Sequence, residues 1–301
     1  MKLLTFFTPE GLSLGVKTDK GVLDITSSID NLSHNCDVPK TMDQVLQGGD
    51  KSISLLRTFA KQVENNTPPP IFLQEDKLIF GPCVPKPGKI IGVGLNYKGY
   101  LKHSNTPTPK FPHLFNKYIN AIRGHKATIY LPFNSTQVDY EGELVIVIGK
   151  QTRNVTKEDA SHYILGYCNG NDLSARDLQY STTSWFPGKC CDGFCPIGPY
   201  LVTPDEVGDP NTLALKVYVN GELRQNSNTS DMIFGCSELV SAISQLLTLE
   251  PGDIILTGTP EGIVMTYPEA ARVWLKEGDV VDVELDRLGR LTNKFAREPG
   301  H

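Results

Sequence analysis

The sequence lacks the features that mark nucleic-acid-binding, membrane-spanning and secreted disulfide-rich proteins. Lysine and arginine number 29 against 34 aspartates and glutamates, and the formal net charge is -5 without a basic stripe, so nucleic acid is not an expected partner. No apolar run approaches the ~18 residues that a membrane span requires, and the apolar stretch in residues 1–9 is too short for a signal peptide. These absences predict a cytoplasmic protein without a membrane partner.

Cysteine is present but lacks a pattern. The seven cysteines are an odd number without a repeated spacing, which favours reduced thiols over a disulfide framework. Cys190, Cys191 and Cys195 lie close together, but the paired spacing and the fourth soft ligand of a zinc site are missing. We expect these thiols to be small packing residues.

What remains is the composition of an ordinary globular protein, 39% hydrophobic and 21% charged. Helical spacing occurs at Thr41–Val63 and Cys236–Leu247, and three consecutive prolines in Glu64–Pro70 predict a linker. Short strand-like runs dominate the rest of the chain: Leu3–Phe7, Leu12–Val16, Gly21–Leu23, Ile71–Phe72, Ile90–Val93, Leu144–Ile148, Leu215–Val219, Ile254–Leu256 and Val280–Leu285. The pattern predicts a mainly β, α+β fold, with a small N-terminal α+β domain at 1–70 and a catalytic domain at 71–301.

Three carboxylates stand out against this background. Glu141 and Glu143 come directly before the apolar run Leu144–Ile148, where a strand begins. Because side chains alternate along a strand with a period of two, both carboxylates point to one face. Asp172 follows a second short apolar stretch. Two anions on one face require a cation, and Asp172 from a loop would complete an all-oxygen ligand set, which favours Mg²⁺ or Mn²⁺ over zinc. An exposed strand edge with solvated acids is the alternative.

An ordered series of motifs supports the metal site. The chain resembles the fumarylacetoacetate hydrolase superfamily from Ile90 to Phe295, and Asn105–Lys110 resembles the domain-containing type 2 branch. The motifs are Ile90–Tyr97, Asp139–Leu144, Asn171–Gln179, Gly188–Lys189 with Phe194–Pro199, Val219–Glu222 and Pro251–Pro260. The resemblance implies a mixed β-sandwich roll, a divalent metal held by Glu141, Glu143 and Asp172, and a homodimer.

The resemblance also implies roles for four further residues. Arg176 and Gln179 would reach polar groups on the distal part of a substrate. Lys189 would lie near the metal and stabilise an enolate oxygen or move a proton. Thr259 would bind the substrate carboxylate through hydroxyl and backbone donors. Taken singly, each residue could equally be a surface ion pair or a turn residue.

The predicted active-site lid departs from the family pattern. Hydrolase members carry Asn-Tyr, then a histidine after two residues and a glutamate three further on, and this pair activates the attacking water. Here Tyr100 occupies the histidine position and His103 the glutamate position. A phenol with a pKa near ~10 is a poor base at neutral pH, whereas imidazole has a suitable pKa. Tyr100 could donate a proton, or His103 could swing into the site as a base.

Three functions follow from these residues. A divalent ion with open positions can chelate a 2-oxo acid and stabilise its enolate, an intermediate shared by hydrolysis, decarboxylation and tautomerisation. Because the lid pair is missing, we expect a tautomerase or decarboxylase of a small enolisable 2-oxo (di)carboxylic acid, with oxaloacetate-like compounds first. Carbon-carbon hydrolysis of acylpyruvates or fumarylacetoacetate-like diketones is one alternative. A ligand-binding homologue with impaired catalysis is the other.

Overall fold

The computed structural model describes residues 1–31, 37–64 and 72–298. The strands within these ranges are β1 (Lys2–Thr8), β2 (Gly11–Thr18), β3 (Gly21–Asp24), β4 (Phe72–Leu73), β5 (Ile90–Gly94), β6 (His113–Lys117), β7 (Ile122–Arg123), β8 (Thr128–Leu131), β9 (Val138–Asp139), β10 (Gly142–Ile148), β11 (Ile164–Asn171), β12 (Ser174–Ala175), β13 (Cys195–Val202), β14 (Ala214–Val219), β15 (Glu222–Asn228), β16 (Ile254–Leu256), β17 (Val280–Leu285) and β18 (Gly289–Arg297).

The helices are fewer and mostly short. They are α1 (Ile25–Asn31), α2 (Met42–Glu64), α3 (Lys98–Ser104), α4 (Arg176–Gln179), α5 (Phe186–Lys189), α6 (Pro204–Val207) and α7 (Cys236–Leu246). Single 3-10 turns occupy Glu75–Lys77, Ile119–Ala121, Ala160–Tyr163, Thr229–Asp231, Val264–Thr266 and Glu269–Ala271. The two helices predicted from spacing correspond to α2 and α7, and both are confirmed. Helix α2 is kinked at Gly49, whose φ of 52° lies in the left-handed region that glycine adopts without strain.

A large mixed sheet forms the centre of the molecule. Its strands follow the order β4-β3-β2-β1-β13-β11-β10-β16-β5-β6, with β7 beside β13. Strand β10 is buried along its whole length, which explains its unbroken apolar run. Leu144, Ile146 and Ile148 belong to the core on one face of the sheet. Val145 and Val147 belong to the core on the other face, as the alternation of side chains along a strand requires.

Each face of the large sheet is covered differently. A second sheet, in the order β15-β14-β17-β18-β8, supplies Val217 and Val283 to the core that holds Ile146. Helix α2 supplies Leu56 and Phe59 to the opposite core. The fold is therefore mainly β with mixed sheets, and the predicted α+β class with a β-sandwich roll is confirmed.

The N-terminal strands extend the central sheet. Strand β1 pairs antiparallel with β13, with Lys2 opposite Val202 and Leu3 opposite Leu201. The linker and the boundary predicted near residue 70 stay predictions, because residues 65–71 lie outside the described part of the chain. Within that part, no helix combines the length and the apolar character needed to cross a membrane.

The six cysteines in the described ranges are free thiols, as predicted, and Cys36 lies outside those ranges. Cys195 belongs to a hydrophobic core, whereas Cys190 and Cys191 are half-buried. Burial raises the pKa of Cys190 and raises that of Cys191 to about 11. Neither thiol is therefore a ready nucleophile at neutral pH.

Candidate active site

Pairing of β10 with β11 brings the three predicted ligands together. Gly142 lies opposite Asn171 in this antiparallel pair, so Glu141, Glu143 and Asp172 flank the same end of the ladder. The Asp172 backbone N–H donates to the Glu141 carbonyl at 2.9 Å. One oxygen from each carboxylate lies within 4.8 Å of the others, and all three residues are buried. This geometry matches the oxygen-rich set that hard divalent cations prefer.

The electrostatics of this cluster call for a cation. Burial, followed by the charges of Asp172 and Glu141, raises the pKa of Glu143 well above its usual range. Burial would also raise the pKa of Asp172, but the ammonium groups of Lys117 and Lys189 outweigh it and lower that pKa. Asp172 is thus held as an anion close to Glu143, whose ionisation is opposed by burial and by the neighbouring carboxylates. A divalent ion would relieve this repulsion.

Two buried lysines contact the carboxylates. Lys189 Nζ, at the end of α5, donates to Glu141 Oε2 at 2.6 Å and to Asp172 Oδ2 at 2.5 Å. Lys117 Nζ, at the end of β6, donates to Asp172 Oδ1 at 2.5 Å. Burial alone would lower the pKa of Lys189, but the charges of Asp172 and Glu141 outweigh it and raise that pKa. Lys189 is therefore a cationic hydrogen-bond donor rather than a base at neutral pH.

Arg176 holds one of the predicted ligands in place. Its Nη2 donates to Glu141 Oε1 at 2.5 Å and to Asp139 Oδ2 at 2.8 Å, while Nε donates to the same Asp139 oxygen at 3.0 Å. Its Nη1 donates to Gln179 Oε1 at 2.9 Å. Four of the five N–H donors that a guanidinium offers could be engaged in this way. The predicted contact of Arg176 with a substrate would rest on the remaining donor.

A cavity of about 220 Å³ opens above these residues. Its apolar walls come from Val93, Leu95, Phe115 and Trp185. Seven of the nine predicted site residues line it: Tyr100, Glu141, Glu143, Arg176, Gln179, Lys189 and Thr259. Asp172, whose carboxylate accepts from Lys189 Nζ, does not form part of the wall.

The lid helix α3 brings Tyr100 to the cavity but not His103. Tyr100 lines the cavity, and burial raises its pKa to about 12. His103 is exposed to solvent on the same helix. Upstream of α3, the Asn96 amide donates to the carbonyls of Phe234 and Thr257 at 3.0 and 2.7 Å. The base of the lid is therefore fastened to the loop that leads to Thr259.

Thr259 is held by hydrogen bonds of its own. Its hydroxyl donates to the Gly142 carbonyl at 2.9 Å and accepts from Gln225 Nε2 at 2.9 Å. The neighbouring Gly258 N–H donates to Glu143 Oε2 at 2.6 Å. Since the hydroxyl proton is already used, the backbone N–H of Thr259 is the better candidate donor to a substrate carboxylate.

Sequence reasoning assigned no role to two buried polar residues of this region. Asp139 anchors Arg176, and Gln225 bonds both Gly142 and Thr259. Asp139 is the first residue of the Asp139–Leu144 motif, and Gln225 lies three residues beyond Glu222. Asp139 could have been found from its place inside a motif, because buried polar groups require partners. Gln225 gave no such signal, because it is the one buried residue of β15, whose other residues are exposed or half-buried.

Known proteins resemble this chain over nearly its whole length. The model of the fumarylacetoacetate (FAA) hydrolase C-terminal family matches residues 89–296. The oxaloacetate tautomerase FAHD2B, mitochondrial, of Bos taurus is 40% identical, and the match covers 98% of this chain and 91% of that protein. The oxaloacetate tautomerase FAHD2A, mitochondrial, of Homo sapiens is 38% identical with the same coverage.

Solved structures agree with these relatives. A fumarylacetoacetate hydrolase from Exiguobacterium antarcticum superposes with a TM-score of 0.82 at 32% identity, covering 99% of this chain and 100% of the other. A maleylpyruvate hydrolase from Sphingobium, solved with manganese(II) and pyruvate, gives 0.76 at 28% identity, covering 99% of both chains. Because the family model matches more than half of the chain and relatives near 40% identity cover nearly all of it, this chain belongs to the fumarylacetoacetate hydrolase family.

Proposed function

We propose that this protein is a divalent-metal-dependent tautomerase that interconverts the enol and keto forms of oxaloacetate. The observation that carries the proposal is a small cavity floored by clustered carboxylates, with a phenol on the lid where hydrolase members carry a base. The relatives named as oxaloacetate tautomerases support the choice of reaction and substrate. The cavity of about 220 Å³ suits a small acid rather than a long-chain one.

Glu141, Glu143 and Asp172 would hold Mg²⁺ or Mn²⁺. Their oxygens and the repulsion at Glu143 fit a hard divalent cation. When bound, such an ion polarises a 2-oxo group and stabilises negative charge that develops on its oxygen. The Sphingobium hydrolase was solved with manganese(II), which supports a divalent metal here without separating Mg²⁺ from Mn²⁺.

The protein's own residues would move the proton. From enol to keto, one proton leaves the oxygen at C2 and one arrives at C3. We assign the donor at C3 to Tyr100, because its pKa of about 12 keeps the phenol protonated. The proton released from the enol oxygen then restores the phenol, so none is consumed overall. Lys189 stabilises the charge that develops on the oxygen, and the Thr259 loop orients a carboxylate.

The alternative functions are hydrolysis, decarboxylation and ligand binding without turnover. Hydrolysis requires a base for the attacking water, and Tyr100 is protonated at neutral pH while His103 is exposed. Decarboxylation of oxaloacetate passes through the same enolate and stays a second candidate. A ligand-binding homologue without turnover is the third, and the well-ordered contacts of Lys189 and Arg176 weigh against it.

A proton NMR time course would test the proposal. The purified protein with Mg²⁺ is incubated in D₂O with oxaloacetate, and in parallel with acetylpyruvate. Faster enol–keto exchange with oxaloacetate, and no acetate from acetylpyruvate, is the expected result. Formation of pyruvate from oxaloacetate would indicate decarboxylation instead. Formation of acetate and pyruvate from acetylpyruvate would indicate hydrolysis. No reaction with either compound would favour the ligand-binding alternative.

Replacement of Tyr100 by phenylalanine should slow tautomerisation by about 10²–10⁴-fold, the usual contribution of a positioned proton donor. Because burial raises the pKa of Tyr100 to about 12, the phenol stays protonated and the loss should be constant between about pH 6 and pH 9. Stopped-flow absorbance of the enol measures the rate of each variant and its dependence on pH. Tyr180→Phe is the matched control, since Tyr180 also lines the cavity. Equal rates for wild type and Tyr100→Phe would transfer the donor role to Lys189 or His103.

Assembly and location are separate proposals. We expect a homodimer, so light scattering coupled to size exclusion should give a particle of about twice the 33.2 kDa mass of one chain. A particle of 33.2 kDa would remove that expectation. We predict a cytoplasmic location from the sequence, whereas the bovine and human relatives are named as mitochondrial. Fractionation of cells that produce the natural protein would decide between the two.

A further inference from the structure

A closed ring of three hydrogen bonds joins the predicted metal ligands to the predicted substrate loop. The Gly142 N–H donates to Gln225 Oε1 at 2.9 Å, Gln225 Nε2 donates to Thr259 Oγ1 at 2.9 Å, and the Thr259 hydroxyl donates to the Gly142 carbonyl at 2.9 Å. Each group in the ring both donates and accepts. Closed chains of hydrogen bonds that are buried or partly buried reinforce one another and fix their members in one arrangement.

Gln225 ties this ring to the second sheet. It lies on β15, and its side chain is fully buried. Its Nε2 also donates to the carbonyls of Pro260 at 2.9 Å and Glu261 at 3.4 Å. The two N–H groups of this amide are shared among three successive residues of the loop, and its oxygen accepts from Gly142, which lies between Glu141 and Glu143.

Gly142 makes this close approach possible. A Cβ at this position would lie 2.2 Å from Val217 Cγ2 on the second sheet and 3.3 Å from Gln225 Oε1. Only glycine lets the ligand-bearing strand come this near to β14 and β15. The distance between the ligands and the Thr259 loop is thus set by packing as well as by the amide.

We propose that Gln225 is a positioning residue that places the Thr259 loop relative to Glu141 and Glu143 and thereby sets the affinity for substrate. Gln225 does not line the cavity, whereas Thr259 does, so it acts through the loop. The ligand-bearing backbone has independent support, because the Glu141 N–H also donates to Asn171 Oδ1 at 2.9 Å. Loss of Gln225 should consequently displace the loop more than the metal site. The inference rests on the proposed function for the choice of substrate.

Two substitutions distinguish the role of the Gln225 amide as a hydrogen-bond donor from its role as an acceptor. Gln225→Met keeps the length and removes every hydrogen bond. Gln225→Glu keeps an acceptor for the Gly142 N–H, but an ionised carboxylate cannot donate to Thr259 or Pro260. Both variants should raise KM for oxaloacetate by at least about 10-fold and change kcat by less than about 3-fold, the signature of lost ground-state binding. Because Gln225 bonds no side chain of a predicted ligand, Mg²⁺ affinity from calorimetry should change by less than the ~10–100-fold that loss of a ligand's own hydrogen-bond partner causes.

Asn169→Leu is the matched control. Asn169 is also a fully buried amide, and it donates to the carbonyls of Gly198, Leu288 and Gly289 and accepts from the Leu285 N–H, away from the cavity. This variant should lower the unfolding temperature and leave KM unchanged. If both Gln225 variants only lower the unfolding temperature, or if Gln225→Glu keeps the wild-type KM, positioning by the amide donor is wrong.

Hydrogen exchange tests the same inference without turnover. In the Gln225 variants, the backbone amides of Gly258, Thr259, Glu261 and Gly262 should exchange faster than in wild type, and Asn169→Leu should leave them unchanged. Unaltered exchange in this segment overturns the proposal. If wild type fails to turn over oxaloacetate, the proposed function falls while the exchange result still decides the role of Gln225. If Gln225→Met does not fold, Gln225→Glu still accepts from the Gly142 N–H, and the kinetic and exchange measurements are then made on this variant.

Discussion

Replacement of Glu143 by glutamine should abolish Mg²⁺ binding and tautomerisation while making the metal-free protein more stable. The amide has the shape of the carboxylate, and its oxygen can still accept the Gly258 N–H that now bonds Glu143 at 2.6 Å. Two remaining carboxylates cannot hold Mg²⁺ tightly, so the affinity measured by calorimetry should fall by more than about 10²-fold. Turnover should fall to the uncatalysed rate.

The stabilisation follows from the charge that glutamine removes. Burial and the charges of Asp172 and Glu141 raise the pKa of Glu143 well above its ordinary value of 4.5, so the folded protein binds more protons than the unfolded chain. The contribution of Glu143 to the free energy of unfolding is therefore fully present below that ordinary value and is lost as the pH rises through the raised pKa. In EDTA, the unfolding temperature of the variant should exceed that of wild type by at least about 2 °C near neutral pH.

The same reasoning gives the pH dependence. Glutamine does not titrate, so the gap in unfolding temperature between variant and wild type should widen from about pH 5 to about pH 8. Mg²⁺ should close the gap by stabilising wild type alone. Asp253→Asn is the control, because Asp253 is a fully buried carboxylate bonded to Lys89 and outside the cavity. It should keep normal Mg²⁺ affinity. Unchanged Mg²⁺ affinity in Glu143→Gln would show that Glu143 is not a ligand.

Replacement of Lys189 by methionine should separate metal binding from catalysis. The ammonium bonds Glu141 and Asp172 and lines the cavity, so its loss removes the cation proposed to stabilise charge on the substrate oxygen. We expect kcat to fall by about 10²–10⁴-fold. Mg²⁺ affinity should hold or increase, because the ammonium no longer competes for the two carboxylates. Stopped-flow absorbance and calorimetry measure the two quantities.

Lys117→Met provides the matched comparison. Lys117 is as deeply buried as Lys189 and bonds the other oxygen of Asp172, but it does not line the cavity. Its loss should change Mg²⁺ affinity in the same direction and reduce kcat by less than about 10-fold. Equal losses of kcat in the two variants would mean that both lysines act only through Asp172, and the assignment of Lys189 to the substrate would then be wrong.

Local pattern was sufficient for about half of the strands and for the grouping of Glu141 with Glu143, whereas β11, β13, β15 and β18 were not among the predicted runs. The unbroken run Leu144–Ile148 predicted a strand, and the structure shows that β10 has a core on each side. Glu141 and Glu143 share a side because side chains alternate along a strand. The place of Asp172 beside them came from the order of motifs, and pairing of β10 with β11 accounts for it.

The sequence pattern of the lid could not decide which of its side chains reaches the cavity. Tyr100 and His103 are three residues apart on α3, a spacing that makes them neighbours on a helix surface. The docking of the helix decides that Tyr100 lines the cavity and His103 faces solvent. That docking depends on Asn96, whose amide reaches the carbonyls of Phe234 and Thr257 far along the chain.

The sequence by itself determined the mainly β fold, the family and the residues that can bind a divalent metal, because strand period, composition and motif order are local properties. Only the tertiary structure decided how the charges pair. It engages Arg176 with Asp139 and Glu141, places a lysine on each oxygen of Asp172, and links Gly142 to Thr259 through Gln225. These hydrogen bonds join residues that are distant in sequence, and each requires several elements to be packed before its two atoms can meet.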